Sequence, residues 1–276
     1  MAANRIALAN LLRMRPGGTP VFLYHGLDAR PGKEVPVRER KYRVPAKRFR
    51  GHLNQIRSDG YRVIPLREFW NSTGTLSDGK QPVVLTFDDG RASDYGVAYP
   101  LLLEAGVRAD FFVNTATVGR PGYLTWLEIA TMHRSGMSFQ SHGQDHVDLS
   151  RIPARELERQ LKDSKRLLED RLGCSVDFLA VPYGELNDRV LDVALQMGYR
   201  AICGSRSWPA RPGAPIVNRL VIYAHTTPRD FHRLLVRNPA CYGMRAARAM
   251  LFYLPKRVFL SFRPHPLRLD AREQQA

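Results

Sequence analysis

Two adjacent carboxylates, Asp88 and Asp89, and two imidazoles four residues apart, His142 and His146, are the groups in this 276-residue chain whose types and spacing fit metal chemistry. Burying neighbouring carboxylates is costly, because like charges repel unless a cation or hydrogen-bond donors compensate. The plain alternative for Asp88-Asp89-Gly90 is a surface turn, and the apolar run Val83-Val84-Leu85-Thr86-Phe87 that leads into it counts against that. Two imidazoles at this spacing can share a divalent ion through borderline-soft nitrogen donors. Zinc proteases place a glutamate beside the first histidine of such a pair, on a helix. Gly143 stands there in this chain, which disfavours protease chemistry and puts the pair on a loop. Two weaker strings accompany these. Val181-Pro182-Tyr183-Gly184 is a rigid turn able to aim a backbone N–H inward. Leu23-Tyr24-His25 ends an apolar run in a histidine, which taken alone reads as a structural residue more readily than as an acid.

All four strings need the same kind of support: an apolar strand that delivers polar residues at its C-terminal end. The sequence predicts strands over 20–25, 61–64, 83–87, 109–113, 138–141, 178–181, 201–203 and 220–223, each a short apolar or β-branched run bounded by Gly, Pro or polar residues. Between them, helical spacing predicts helices from Pro45 through Phe49, Leu53 and Ile56, then over 66–70, 99–104, 125–135, 154–172, 188–197 and 228–236. Gly60, Gly106, Gly136, Gly173 and Gly198 punctuate the helix ends. Strands alternating with helices imply parallel β/α units closing into a barrel. The C-terminal strand ends of such a barrel form its active-site face, so the four strings should converge there.

Together the strings resemble the polysaccharide deacetylase (NodB homology) family, carbohydrate esterase family 4. Thr86-Phe87-Asp88-Asp89-Gly90, His142 to His146, and Pro182-Tyr183-Gly184 match its first three motifs in family order. The resemblance implies an α/β fold, a distorted (β/α)7-type barrel, over residues 18–238, with 239–276 as a basic, partly apolar extension. It implies one divalent metal, Zn2+ in the first place with Ni2+ or Co2+ as alternatives, bound by Asp89, His142 and His146. It implies Asp88 as catalytic base and the Tyr183 N–H as an oxyanion donor. The reaction would be hydrolysis of an N-acetyl or similar N-acyl group from an amino sugar in a glycan, a lipid-linked sugar or a sugar metabolite.

The chain departs from the family pattern twice. The arginine that orients the base three residues before the motif tyrosine is replaced by Ala180, and the late Leu-x-His string is matched only loosely by Tyr223-Ala224-His225. Leu23-Tyr24-His25, followed by Phe49, Leu53, Gly60, Tyr61 and Leu66, fits instead a permuted subgroup resembling biofilm poly-N-acetylglucosamine deacetylases. The acid is therefore assigned to His25, with His225 as the alternative. Trp208, Arg219 and His225 are candidate substrate-binding residues. For Arg219 the partners in view are a substrate phosphate or Asp88.

Composition bounds the rest. Hydrophobic residues at 44% and charged residues at 25% are ordinary for a globular chain, but Lys and Arg number 42 against 26 acids, a net charge of +16. Such a field favours an anionic partner, here a phosphorylated carrier or an anionic membrane surface. From Arg229 onward, basic residues outnumber acids ten to three and are interleaved with Leu251, Phe252, Phe259 and Phe262, a pattern that suits a membrane surface or simply a solvated tail. Cys174, Cys203 and Cys241 form no paired motif. Arg5, Arg13 and Arg15 interrupt the first apolar stretch, so a cytoplasmic location is expected, at most peripheral to the membrane. The rival readings are a non-catalytic carbohydrate-binding relative, which should lack a ligand, and a nucleic-acid binder, for which no recognisable motif accompanies the charge.

Overall fold

Parallel strands dominate the architecture. The computed structural model describes residues 17–29, 37–205, 208–245 and 247. The strands are β1 (Val21–Tyr24), β2 (Leu27–Asp28), β3 (Val44–Pro45), β4 (Tyr61–Val63), β5 (Gln81–Phe87), β6 (Asp110–Val113), β7 (Ser138–Ser141), β8 (Phe178–Ala180), β9 (Ala201–Gly204), β10 (Ile216–Asn218) and β11 (Leu220–Val221). The helices between them are α1 (Val37–Arg40), α2 (Ala46–Ser58), α3 (Leu66–Asn71), α4 (Tyr99–Ala105), α5 (Trp126–Arg134), α6 (Ala154–Leu172), α7 (Asp188–Gln196) and α8 (Pro228–Leu235).

One sheet runs β10-β9-β8-β7-β6-β5-β1-β11, with β4 added beside the start of β5, and β2 pairs with β3 apart from it. Every named pairing is parallel. The result is an α/β, nearly closed, barrel-like sheet wrapped by helices, as the alternation of apolar runs and helical spacings implies.

Residue parity along the strands decides what faces inward, because successive side chains point to opposite faces. Tyr24, Phe87, Phe111 and Phe139 share one register row and stack at 5.3, 4.9 and 5.4 Å beneath the helices. The alternate residues Val21, Val84, Phe112, Phe178, Ala180, Ala201 and Cys203 form a smaller cluster that fills the barrel. Continuing that inner parity beyond the strand ends puts His25, Asp88 and His142 on the same side.

The helices form where local chemistry supports them. α6 buries Leu157, Leu161, Ser164 and Leu168 at helical spacing and stops at Gly173, whose left-handed φ of 66° costs a glycine little. Thr125 and Glu128 build a reciprocal capping box on α5. Asn187 and Thr227 cap α7 and α8.

Four elements differ from the sequence expectation. A π-helical turn, Asp94–Ala98, precedes α4. β10 is a separate strand, and β11 is only two residues long where four were expected. Past the expected boundary at 238 the chain is helical again through 239–245, with Tyr242 fully buried and its hydroxyl donating to the Leu234 carbonyl at 3.0 Å. The basic extension past residue 247 lies outside the described residues.

Candidate metal and catalytic site

β5 and the turn after it set the two carboxylates. The Asp88 N–H donates to the Tyr24 carbonyl at 2.9 Å, tying the end of β5 to β1. Asp89 then adopts φ 77°, a left-handed conformation uncommon outside glycine, and turns its carboxylate away from that of Asp88. Gly90 follows at φ 64°; a Cβ there would lie 2.8 Å from Val113 Cγ1, so the turn needs glycine for space as well as for conformation.

The loop after β7 supplies the imidazoles. His142 is buried, and its Nδ1 lies 2.8 Å from the Ala180 carbonyl. That carbonyl can only accept, so Nδ1 carries the proton and Nε2 presents its lone pair. Gly143, at φ 80°, breaks any helical course, and His146 returns on the loop. Gln160 of α6 pins the loop by accepting from the N–H groups of Gln144 and Asp145 at 3.1 and 2.8 Å. Asn114 clamps it from just past the end of β6, donating to the His142 carbonyl at 2.5 Å.

These constraints bring three ligand atoms of Asp89, His142 and His146 within 4.8 Å of one another. Asp89 Oδ1 lies 3.5 Å from His142 Nε2 and 3.4 Å from His146 Nε2, yet it is buried with no aligned hydrogen-bond partner. An orphaned carboxylate oxygen facing two imidazole nitrogens is the donor set a divalent ion takes, and three protein ligands leave a further position open. Burial alone would raise the Asp89 carboxyl, but the imidazoles beside it hold it well below the usual carboxylate range. For His142, burial works against protonation, and Asp88 and Asp89 outweigh it to raise its pKa.

Asp88 is not part of this triad. It is 2% exposed, and Arg219 grips it as a fork: Nη1 to Oδ1 and Nη2 to Oδ2, both at 2.7 Å. Arg219 sits just before β11 and is itself 1% exposed. Its Nε donates to the Gly204 carbonyl at 3.3 Å, and its guanidinium lies 5.0 Å over the Phe112 ring. Burial pushes the Asp88 carboxyl upward; Arg219, with His142, overcomes that and keeps it below its ordinary value.

The structure thus places the sequence-derived candidates as follows. Asp89, His142 and His146 come together, with Asp88 beside them and His25 near enough to feel the charges of Asp88 and Asp89; the half-buried His25 ring has Nδ1 enclosed and without a partner. Burial lowers the His25 pKa, while Asp88 and Asp89 act in the opposite direction. Tyr183 has φ 62° and is 65% exposed, with its ring against His146 at 4.6 Å and its hydroxyl donating to the His146 carbonyl at 3.2 Å. His225 is exposed on an outer loop, stacked on Tyr223, and does not join the cluster. Trp208 stands away from it as well, edge-on to Tyr242 at 6.0 Å. Of the two partners in view for Arg219, the structure shows Asp88. The position left by Ala180 contributes a carbonyl to His142 rather than a cation to the base.

Comparison with known proteins bears on the family and the fold. Residues 76–202 match the family model for polysaccharide deacetylase. The matched segment, similar to a polysaccharide deacetylase domain, covers just under half of the chain. Around that domain, 190 residues are 28% identical to YxkH of Bacillus subtilis, covering 67% of this chain and 64% of that one. Over 175 residues the chain is 25% identical to a Staphylococcus aureus poly-beta-1,6-N-acetyl-D-glucosamine N-deacetylase, covering 58% of this chain and 60% of the relative. It therefore spans somewhat less than two thirds of the length of these relatives. Among solved structures, the Streptococcus pyogenes deacetylase PplD in complex with acetate superposes on the domain with a TM-score of 0.72 at 27% identity, covering 80% of this chain and 99% of that one. IcaB from Ammonifex degensii shares the fold, with a TM-score of 0.66 at 23% identity over 82% and 99% of the two chains.

Proposed function

We propose that this chain hydrolyses an N-acetyl or similar N-acyl group from an amino sugar, using one divalent ion held by Asp89, His142 and His146. The observation that carries the reading is the pairing of an orphaned Asp89–His142–His146 donor set with a second carboxylate, Asp88, that is kept ionised and unligated beside it. Zn2+ suits the donor set best, with Ni2+ and Co2+ as alternatives of the same ligand chemistry. When bound, the ion supplies Lewis acidity, polarising the acyl carbonyl.

The remaining work falls to the chain itself. Asp88 accepts a proton from the attacking water, and Arg219 fixes its two oxygens so that the carboxylate is aimed and ionised before substrate arrives. Arg219 is a positioning residue in this scheme. The Tyr183 N–H, presented by the left-handed turn, donates to the developing oxyanion; one such donor is commonly worth about 3 kcal/mol. His25 lies beside Asp88 through the β1–β5 register and delivers a proton to the departing amine, which leaves poorly as an anion. Burial lowers the His25 pKa overall, and Asp88 and Asp89 offset only part of that cost.

Incubating the protein with a panel of N-acylated sugars and reading the products by mass spectrometry tests the reading. Loss of one acyl group, abolished by a chelator and restored by added Zn2+, is expected. Intact substrates across free, nucleotide-linked, lipid-linked and polymeric sugars would refute it. The charge of +16 supports an anionic partner, a phosphorylated carrier or a membrane surface. Failure to pellet with anionic vesicles at low salt would remove the membrane from that pair.

A further inference from the structure

α2 and α8 pack over the outer face of β1, where Phe49 meets Tyr24 at 5.0 Å and Phe231 meets Phe22 at 4.7 Å. Between the two helices lies a cavity of about 360 Å³, lined by Arg48, Gly51 and His52 of α2 and by Pro228 and Phe231 of α8. That volume is in the range of about 300–1,000 Å³ that accepts small organic ligands. The central site is on the opposite face of the sheet. Tyr24 turns outward to His52, and the next residue, His25, turns inward.

Two features of this cavity weaken the fold while it stands empty. The first is His52, which is 2% exposed and stacks on Phe231 at 3.9 Å. Its Nδ1 lies 3.0 Å from the Tyr24 hydroxyl, which has no other partner among the described residues, and its Nε2 is buried without one. A proton on Nδ1 would leave both the phenol O–H and Nε2 unmatched, whereas a phenol that donates leaves only the Nε2–H. Burial keeps the phenol protonated and, with Arg48 nearby, keeps the imidazole neutral. His52 thus holds an N–H with no acceptor inside the protein, and a buried donor left unmatched is destabilising. The second feature is Gly51, in the middle of α2. Glycine weakens a helix interior relative to alanine. Packing does not call for it, because a Cβ at Gly51 would meet no heavy atom within 4 Å. A longer side chain would enter the cavity.

The charge of the lining has one sign. Lys47 and Arg48 contribute two cations, and no acid among the described residues lines the cavity. α2 begins there at Pro45 with no capping side chain and no acid in its first turn, so the helix dipole adds partial positive charge. The other walls, Pro45, Pro228 and Phe231, are apolar. One buried donor among apolar walls suits a monoanion better than a phosphate, whose further oxygens would lose water without finding donors. We propose that the α2–α8 cavity is a binding site for a small carboxylate with a compact apolar body. The carboxylate takes the His52 Nε2–H and the charge of Arg48, and the body lies against Phe231 in the space that Gly51 leaves. None of these groups acts at Asp88 or in the metal triad, and the inference stands whether or not the chain deacylates sugars.

The test uses the full chain with nitrogen-labelled histidine and three probes: hexanoate, cyclohexanecarboxylate and phenylpropanoate. The His52 ring resonance, assigned by its loss in His52→Phe, should shift on titration with at least one of them, at a Kd of about 1 mM or tighter. Acetate, which has the charge without the body, and phenylpropanol, which has the body without the charge, should bind there at least about tenfold more weakly. Gly51→Leu fills the cavity and leaves His52 in place. It should weaken the probe at least about tenfold, with a Tm at or above that of the wild type. His52→Phe keeps a ring on Phe231 and removes the donor, and calorimetry should show a loss of about tenfold. If His52→Phe fails to fold, Gly51→Leu decides alone, with the ring resonance assigned from its contacts to Phe231. An unmoved His52 resonance with all three probes would overturn the proposal, as would equal binding by phenylpropanol or undiminished binding to Gly51→Leu.

Discussion

Replacing Arg219 by methionine leaves a carboxylate without its counter-charge inside the barrel. Arg219 donates to Asp88 through two bonds of 2.7 Å, and neither side chain meets appreciable solvent. Methionine follows the same path through the core but donates nothing, so Asp88 keeps its desolvation cost and its repulsion from Asp89. Removing one partner of a buried ion pair costs about 3–5 kcal/mol. At roughly 2–4 °C per kcal/mol for a chain of this size, Tm should fall by roughly 6–20 °C.

The pH dependence has a definite sign. Wild-type Asp88 is held below its unfolded value, so its contribution is present above pH ~4 and is lost as pH falls through the folded pKa. In Arg219→Met, burial dominates and the carboxyl moves up. The stability gap between the two proteins should therefore narrow by about 1 kcal/mol or more between pH 7 and pH 4.5, as the variant takes up a proton. Urea unfolding of the metal-free proteins, followed by circular dichroism, reads both effects. Arg219→Met combined with Asp88→Asn should be more stable than Arg219→Met alone, because the amide removes the buried charge. A single variant within about 0.5 kcal/mol of wild type would refute the reasoning, as would a double variant no more stable than the single.

Other expectations concern separate parts of the site. Asp88→Asn should retain wild-type metal content while turnover falls by about 10²–10⁴; His142→Ala should lose the metal, and elemental analysis showing equal content in both would remove His142 from the ligand set. If the acid is His25, His25→Ala should lower kcat at least as steeply as Asp88→Asn, and a normal kcat there with an inactive His225→Ala would transfer the role. His52 is buried against Phe231, and burial, with Arg48 nearby, lowers its pKa to about 3. It folds neutral, so stability is full above pH ~6.5 and falls by about 1.36 kcal/mol for each pH unit below that until the folded value is reached. At pH 4.5 the loss is about 2.7 kcal/mol, and His52→Gln should show a correspondingly flatter pH dependence in urea titrations; an unchanged slope would exclude His52 as its source.

Much of the fold is legible in the sequence because its elements are locally consistent. Leu157, Leu161 and Leu168 mark one face of α6, and Gly173 marks its end, so 154–172 can be read without tertiary information. The apolar runs into Asp88, His142 and Pro182 are equally plain. What escapes is structure that depends on neighbours. β10 has three residues and ends in a polar asparagine, and it exists because Ile216, Val217 and Asn218 find partners in β9. The turn at Asp94–Ala98 contains Gly96 and no periodicity long enough to read. The helix at 239–245 is hidden by Pro239 and Gly243, and only the burial of Tyr242 reveals its packed face.

In the candidate site, the motif strings single out Asp89, His142 and His146, which the fold brings together, while Arg219, which grips Asp88, lies 131 residues from it. No spacing rule reaches that far. The sequence offers Arg219 only as one of two pairings, with a substrate phosphate or with Asp88, and strand parity favours the second: Leu220 packs in the layer under the helices, so Arg219 turns inward at the end of the sheet.

That separation has a consequence in time. A ribosome emits Asp88 131 residues ahead of Arg219, and at about 5–20 residues per second the carboxylate precedes its guanidinium by roughly 7–26 s. β1, although made first, has one flank formed by β11, among the last strands to emerge. During elongation the nascent sheet holds a seam at β1, and closing that seam also gives Asp88 its counter-charge. Completion of the barrel and the pairing of Asp88 with Arg219 are one event.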